Sequence, residues 1–270
     1  MLGAGTLCWS ALESTRVLCY SHLTLWWQVL AYSAGLGELL SDPSRLDTHL
    51  AHVERENCIH NNVSAPGEPL VSGCPNGLVI MTNRKPIGVS DLQVWEMATY
   101  NHAVLKIRRA QSVSEASSAL AAAQGVGTSY SQRVNDQWNT AGIKFNDGNP
   151  SITSHYGYHM TSWHLIFALS GQQPDFSDPA NATLTFRPAI TDRTGCAFSY
   201  PVLLPGAVGT ISCTQRYYTL VFTVAPKAPW RTVSSLAVGN AVYPLLPVDL
   251  IAAAPLVWPM SGLPARHRSR

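Results

Sequence analysis

Charged residues are scarce in this 270-residue chain, which leaves few of them to form a charged binding surface. Only 13% of the residues are charged, against about 25% in an average soluble protein. Without Arg266, Arg268 and Arg270 at the C-terminal end, acidic and basic residues nearly balance. The sequence therefore lacks the concentrated basic surface that nucleic-acid binding requires. A content of 46% hydrophobic residues is ample for a buried core.

Sequence motifs for nucleotides, serine hydrolysis and metals are also absent. The chain has no P-loop, no GxGxxG and no GxSxG, and its six cysteines have no zinc-type spacing. His155 and His159 lie four residues apart, but the glutamate of HExxH is missing and no third ligand is evident. We therefore predict no metal site and no cofactor. Cys196 and Cys213 could form a disulfide or remain two buried thiols.

No segment reads as a membrane span or as a clear signal peptide. The apolar stretch Leu236 to Met260 contains four prolines, which a membrane helix would hardly tolerate. The first 22 residues lack a basic start. Glycosylation sequons at Asn62 and Asn181 leave the secretory pathway open, so the compartment is not predicted.

The hydrophobic period changes near Gln172, from helical before it to strand-like after it. This change predicts an unassigned segment 1–22, helices over 23–172, a β-rich segment over 173–244 and an Ala/Pro-rich tail over 245–270. The predicted helices cover 23–40, a stretch starting at Pro43 and capped by Ser41-Asp42, 91–108, a stretch from Ser112 to Gly125 that opens with a capping box, and a last helix closed by Gly171. Trp26 and Trp27 should lie on the apolar side of the first helix, and Trp163 should be largely buried on the inner stripe of the last. The predicted strands are Thr183–Phe186, Phe198–Leu204, Val208–Cys213 and Tyr217–Val224.

The predicted helices alternate between strongly apolar and blander members. The helix over 91–108 should be buried on nearly every side, with Glu96 as a possible exposed spot, whereas the next helix is alanine-rich. Such alternation is typical of the inner and outer shells of an α/α toroid, and a plain helical bundle would give the same pattern. The predicted fold class is mainly α: a partial (α/α)6 toroid of helix pairs followed by a short antiparallel β segment.

Aromatic and hydrogen-bonding residues are concentrated around one loop and the helix after it. Proteins hold sugars with aromatic rings against the apolar face of a pyranose and polar side chains at its hydroxyls. The alternative is that these aromatics are core residues and that the histidines satisfy backbone groups. The sugar-binding candidates are Trp138, Asn139, His155, Tyr158, His159 and Trp163.

The order of several motifs resembles the C-terminal region of family 116 glycoside hydrolases, the family of the non-lysosomal glucosylceramidases. The motifs are WQVLAYSAGLG from Trp27 to Gly37, GCPNG from Gly73 to Gly77, SDLQVW from Ser90 to Trp95, HYGYHMTSWHLIFALSG from His155 to Gly171, and LTFRP from Leu184 to Pro188. Together they extend over about residues 24 to 225.

The resemblance implies an α/α toroid beside a glucosyl pocket and a β-glucoside or glycolipid such as glucosylceramide as ligand. The family has a glutamate after the Trp-Asn pair and an arginine in the following helix, where this chain has Thr140 and Tyr158. The catalytic carboxylates of the family lie upstream of the matched region, which also implies a missing N-terminal domain. Asp91 and Glu96 are available carboxylates, although neither has a catalytic sequence context.

Three hypotheses follow. The chain could be a fragment or divergent relative of a family 116 enzyme that supplies scaffold and pocket wall without the catalytic carboxylates. It could instead be a carbohydrate-binding pseudoenzyme module, or a structural helical partner domain whose low surface charge reflects contact with a neighbour.

Overall fold

The computed structural model divides the chain into two compact units. Unit 1 comprises residues 1–32 and 36–165, and unit 2 comprises residues 33–35 and 166–270. The structure describes residues 22–57, 93–129, 143–145, 150–152, 161–175, 183–191, 197–204, 207–214, 217–224, 232–238, 241–249 and 256–259.

The described part of unit 1 is built mainly from helices. A small antiparallel sheet in the order β1-β2-β3 accompanies them, and a further helix, α5, runs from unit 1 into unit 2. The elements are α1 (His22–Ser33), α2 (Pro43–Asn57), β1 (Gln93–Trp95), α3 (Glu96–Arg109), α4 (Val113–Ser129), β2 (Ile143–Phe145), β3 (Pro150–Ile152) and α5 (Trp163–Ser170).

Helix α1 is shorter than the helix predicted over residues 23–40. Gly35 has a φ of 76°, in the left-handed region that glycine adopts without a steric penalty. The amide of Leu36 donates to the carbonyl of Ala31 at 2.8 Å, which is the hydrogen bond of a Schellman motif. The chain therefore leaves the helix at Gly35, and residues up to 40 are not helical.

Helix α2 begins where its sequence predicts. The Asp42 carboxylate accepts a hydrogen bond from the Ser44 amide at 3.0 Å, and Pro43 occupies the first helical position. Bonding to Ser44 lowers the pKa of Asp42. Leu46, Leu50 and Val53 are all buried, which confirms the predicted apolar stripe.

Helix α3 starts at Glu96, five residues later than predicted, because Gln93–Trp95 form a strand instead. This strand pairs antiparallel with Ile143–Phe145, a partner nearly fifty residues along the chain. From Glu96 to Leu105 only Met97 is less than fully buried. The prediction that this helix is buried on nearly every side is therefore confirmed.

Helix α4 is opened by a capping box. The backbone amide of Glu115 donates to Ser112 Oγ at 3.2 Å as in a capping box, and the Glu115 carboxylate accepts from the backbone amide of Gln111, one residue before the cap, at 2.9 Å. The helix continues past Gly125, its predicted end, to Ser129. Gly127 lies against α3, where an added Cβ would be 3.2 Å from the Tyr100 hydroxyl.

An arginine at the end of α3 ties three parts of unit 1 together. The Arg109 guanidinium donates to both carboxylate oxygens of Asp47 on α2 and to Glu38 in the segment after α1. Glu38 also accepts from the Tyr32 hydroxyl. Burial, followed by this bond to Glu38, raises the pKa of Tyr32 to about 12. Arg108 lies over the Tyr32 ring at 5.9 Å from its centroid.

Two four-stranded sheets make up the described strands of unit 2. Their orders are β10-β9-β5-β4 and β11-β8-β7-β6, and all pairs are antiparallel except β5 with β9. The strands are β4 (Gln173–Asp175), β5 (Thr183–Phe186), β6 (Phe198–Leu204), β7 (Ala207–Thr214), β8 (Tyr217–Val224), β9 (Thr232–Val238), β10 (Ala241–Asp249) and β11 (Leu256–Pro259).

One hydrophobic core joins the two sheets. Leu184 and Phe186 of β5 pack with buried residues of β6, β7 and β8, among them Val202, Ile211 and Leu220. The sheets therefore pack face to face, with inward and outward residues alternating along β5. The four strands predicted between residues 183 and 224 are confirmed, and β10 and β11 occupy part of the stretch predicted as a tail.

Gln172 bridges the two sheets with its side-chain amide. Its Nε2 donates to the Pro201 carbonyl at 3.1 Å and to Ser170 Oγ at 2.8 Å, while its Oε1 accepts from the Leu203 amide at 2.8 Å. The residue is fully buried. A buried amide is tolerated because these bonds satisfy it.

Helix α5 ends at Gly171 as predicted, and its last turn touches the backbone that follows β5. Gly171 has a φ of 60°. An added Cβ there would lie 2.2 Å from the carbonyl oxygen of Arg187. The Ser170 carbonyl accepts from the Arg187 amide at 3.1 Å, and the Leu169 carbonyl from the Ala189 amide at 2.8 Å. Glycine is thus required both for the turn and for the close approach.

Prolines mark the edges of both unit 2 sheets. Pro174 lies in β4, Pro201 in β6, Pro259 in β11, and Pro244 with Pro247 in β10. The four inner strands β5, β7, β8 and β9 contain no proline. The distribution follows from chemistry, because proline has no N–H to donate to a neighbouring strand.

The described residues therefore define a mixed α and β fold, with more sheet than the mainly helical prediction allowed. None of the described helices is both long and apolar enough to cross a membrane. Cys213 is buried and forms a disulfide, with a partner cysteine beyond the residues that the structure describes. Whether that partner is Cys196 stays a prediction.

Candidate functional site

Five of the six predicted sugar-binding residues lie outside the residues that the structure describes. Trp138, Asn139, His155, Tyr158 and His159 lie outside the described residues. The same is true of Asp91, one of the two carboxylates considered for catalysis.

Trp163, the sixth sugar candidate, is the first residue of α5. We predicted that it lies on the inner stripe of its helix and is largely buried, and this is wrong, because its side chain is 58% exposed. Within unit 1, Leu165 of α5 contacts the cluster of Tyr100 and Ala103 on α3 and Ala123 on α4. Two residues correspond to about 200° around a helix, so Trp163 lies on the opposite side from Leu165.

Beside Trp163, the rings of His164 and Trp26 join α5 to α1. The two rings meet edge to face, with centroids 5.8 Å apart and planes at 88°. Burial lowers the pKa of His164, so its imidazole is neutral at neutral pH.

Trp27, the next residue on α1, was also expected on the apolar side of its helix. That expectation is wrong, since the side chain is 65% exposed. Successive helical residues are about 100° apart, so a narrow buried stripe accepts one of two adjacent tryptophans. The WW dipeptide was thus a sequence signal that one indole would reach solvent.

Helix α3 carries an unusual row of buried polar side chains. Glu96 is only 2% exposed, and Thr99, Asn101 and His102 are also buried. The expectation of an exposed Glu96 is therefore wrong, because the helix is enclosed at its first turn as well. Burial, and then the charge of Glu96, raises the pKa of Tyr100.

His102 is held neutral between α3 and α2. Its Nε2 lies 3.3 Å from the Leu50 carbonyl, which can accept a hydrogen bond from the protonated ring nitrogen. Desolvation lowers the pKa of His102 to about 4, against the opposing effect of the Glu54 carboxylate. Next to it, Lys106 donates to Glu54 at 3.0 Å. The histidine is therefore a packing group and not a proton donor at neutral pH.

Asn101 is the least satisfied of these polar groups. Its side-chain oxygen and nitrogen are buried without a hydrogen-bond partner among the described residues. Unpaired buried polar atoms cost about 1–3 kcal/mol each. The predicted burial of this helix covers Asn101 as well, but the residue type did not indicate it, because an asparagine in a helix usually reaches solvent.

The part of the chain that the structure describes contains no candidate metal site. There, no group of three or more His, Cys, Asp or Glu side chains could hold a metal ion. His155 and His159 are outside that part, so the prediction of no metal site stays a prediction.

The chain is thus a mixed α and β protein, with a helical unit that carries exposed tryptophans and a unit of two packed sheets. No protein-family model matches it, and no curated protein matches it. Among solved structures it is similar to a putative kojibiose phosphorylase from the human microbiome, at 10% identity and a TM-score of 0.33. The match covers 65% of this chain and 20% of that chain, so this chain spans about a fifth of that protein's length. The resemblance to family 116 stays a prediction.

Proposed function

We propose that this chain contributes a saccharide-binding wall of a glycoside hydrolase related to family 116, without catalysing hydrolysis by itself. The observation that carries the proposal is the exposed indole of Trp163. A large aromatic ring held on a short helix and open to solvent can stack on the apolar face of a pyranose. A ring buried in the core could not.

The finer proposal is that unit 1 is part of an α/α toroid and that the ligand is a β-glucoside or a glycolipid. Its support is the motif order in the sequence, together with the packing of the apolar α3 against the alanine-rich α4 through Tyr100, Ala103 and Ala123. The family's charged sugar contacts are replaced by Thr140 and Tyr158. Charge-assisted hydrogen bonds contribute about 1.5–3 kcal/mol, so we expect weak binding.

The absence of hydrolysis is argued from the carboxylates. Hydrolysis of a glycosidic bond needs two carboxyl groups on either side of the scissile linkage. Glu96 is buried in unit 1, no second carboxylate is described opposite it, and the family's own catalytic pair lies upstream of the matched region.

Binding can be tested with methyl β-glucoside and ligand-observed NMR on the full chain. We expect Trp163→Ala to weaken binding roughly 2- to 10-fold through loss of stacking, and Trp163→Phe to retain part of it. Leu36→Ala is the matched control, since Leu36 is another exposed apolar residue of unit 1 at 72% exposure. Equal affinity in the wild type and Trp163→Ala would contradict the proposal.

Catalysis is tested separately with an aryl β-glucoside and with glucosylceramide in detergent. We expect no turnover at a rate typical of glycosidases, with or without the double change Asp91→Asn and Glu96→Gln. Rapid turnover that the double change abolishes would make these two residues catalytic and would disprove the scaffold role.

A structural role as a helical partner domain is the second candidate. It is favoured by the exposed apolar side chains of Leu36 and Leu39, which follow α1 in a chain with few charges.

A further inference from the structure

Two exposed indoles of unit 1 are each one residue away from the same contact between helices. Trp27 follows Trp26 on α1, and Trp163 precedes His164 on α5. The rings of Trp26 and His164 meet edge to face, with their centroids 5.8 Å apart. The contact between Trp26 and His164 therefore places the exposed indoles of Trp27 and Trp163 on two helices that touch each other.

The two helices that carry these indoles have no formally charged residue of their own. Neither α1 nor α5 contains Asp, Glu, Lys or Arg, and His164 is kept neutral by burial. Ionic ligands such as nucleic acids or acidic polymers are held mainly by charge. Two aromatic faces with indole N–H donors and no formal charge suit a neutral ligand that has apolar faces and hydroxyl rims.

We infer that Trp27 and Trp163 together bind a neutral oligosaccharide, with one sugar ring stacked on each indole. This inference rests on the proposed saccharide role of Trp163 and extends it to a second subsite on α1. A monosaccharide can use one indole at a time, whereas a longer chain can contact both. Binding should therefore strengthen with the number of sugar rings.

The test compares methyl β-glucoside with neutral β-linked glucose oligomers, from disaccharide to pentasaccharide, on the full chain. We expect the affinity of the wild type to rise roughly 2- to 10-fold once the oligomer reaches both indoles. Trp27→Ala should abolish this rise and lower the affinity for methyl β-glucoside less than Trp163→Ala does. Trp163→Ala should weaken both, and Leu36→Ala should change neither. Circular dichroism verifies that each variant is folded.

Different outcomes separate the two proposals. If methyl β-glucoside binds but the oligomers bind no tighter, or if Trp27→Ala keeps the rise, the second subsite is wrong and the proposed function stands. If no saccharide binds the wild type, both are wrong. If sedimentation shows self-association that Trp27→Ala removes, Trp27 is covered by a second copy of the chain, and the second subsite is again wrong.

Discussion

Replacing Gly171 by alanine should destabilise unit 2 far more than a glycine-to-alanine change normally does. At a φ of 60°, a side chain costs about 1–2 kcal/mol. The new Cβ would also lie 2.2 Å from the Arg187 carbonyl oxygen, so the backbone must move apart. Separation would weaken the bonds from Arg187 and Ala189 to the end of α5, each worth about 0.5–1.5 kcal/mol. We expect a total loss of about 2–5 kcal/mol in the free energy of unfolding.

Gly35 supplies the matched control for this change. It is assigned to the same unit and has a similar φ of 76°, but an added Cβ would have only an ordinary contact, 3.5 Å from the Pro174 carbonyl oxygen. Gly35→Ala should therefore show the backbone cost alone. The assay is native-state hydrogen exchange of the amides in β6, β7 and β8, which reports the stability of unit 2 by itself. Equal losses in the two variants would refute the close approach at Gly171.

Three further predictions concern buried polar groups. Gln172→Ala should lower the free energy of unfolding of unit 2 by about 2–4 kcal/mol in denaturant, because the Pro201 carbonyl and the Leu203 amide lose their hydrogen bonds. Gln173→Ala, at the half-buried next residue, should cost much less. His102 has a folded pKa of about 4 against about 6.5 when unfolded; stability should therefore be fully present above pH 6.5 and fall by about 3 kcal/mol as the pH drops to 4. That slope should flatten in His102→Gln, and an unchanged slope would contradict the assignment. Asn101→Leu should raise the melting temperature, because it removes unpaired buried polar atoms; a lowered one would mean that the amide is satisfied in solution.

Local signals in the sequence predicted the element ends that depend on local chemistry. The caps at Asp42 and Ser112 and the glycine after α5 were predicted correctly, because each acts within one turn of chain. The strands between residues 183 and 224 were also predicted, since alternation of apolar residues directly reflects one buried face. Other ends were missed: the turn at Gly35 lay inside an apolar stretch, α3 starts at Glu96, and α4 continues past Gly125.

Features set by distant parts of the chain could not be predicted. The strand at Gln93 exists because it pairs with Phe145, and no local pattern carries that information. Likewise, Trp27 and Trp163 are exposed because neighbouring elements pack on the other sides of their helices. Periodicity identifies apolar residues but does not decide which of two aromatic neighbours is covered. Of the predicted sugar-binding residues only Trp163 is described, and its accessibility was not predicted.

The prolines in the four edge strands of the two sheets that the structure describes limit how these sheets can meet other proteins. An open sheet edge is a template on which a foreign strand can add itself, by backbone hydrogen bonds that need no particular side chains. Pro174, Pro201, Pro259 and the pair in β10 each remove a donor from such a ladder. Strand exchange and edge-to-edge polymerisation are thereby disfavoured, even though the chain has little charge to keep copies apart. A partner of these sheets would therefore have to be recognised by side chains, not by backbone pairing at an edge.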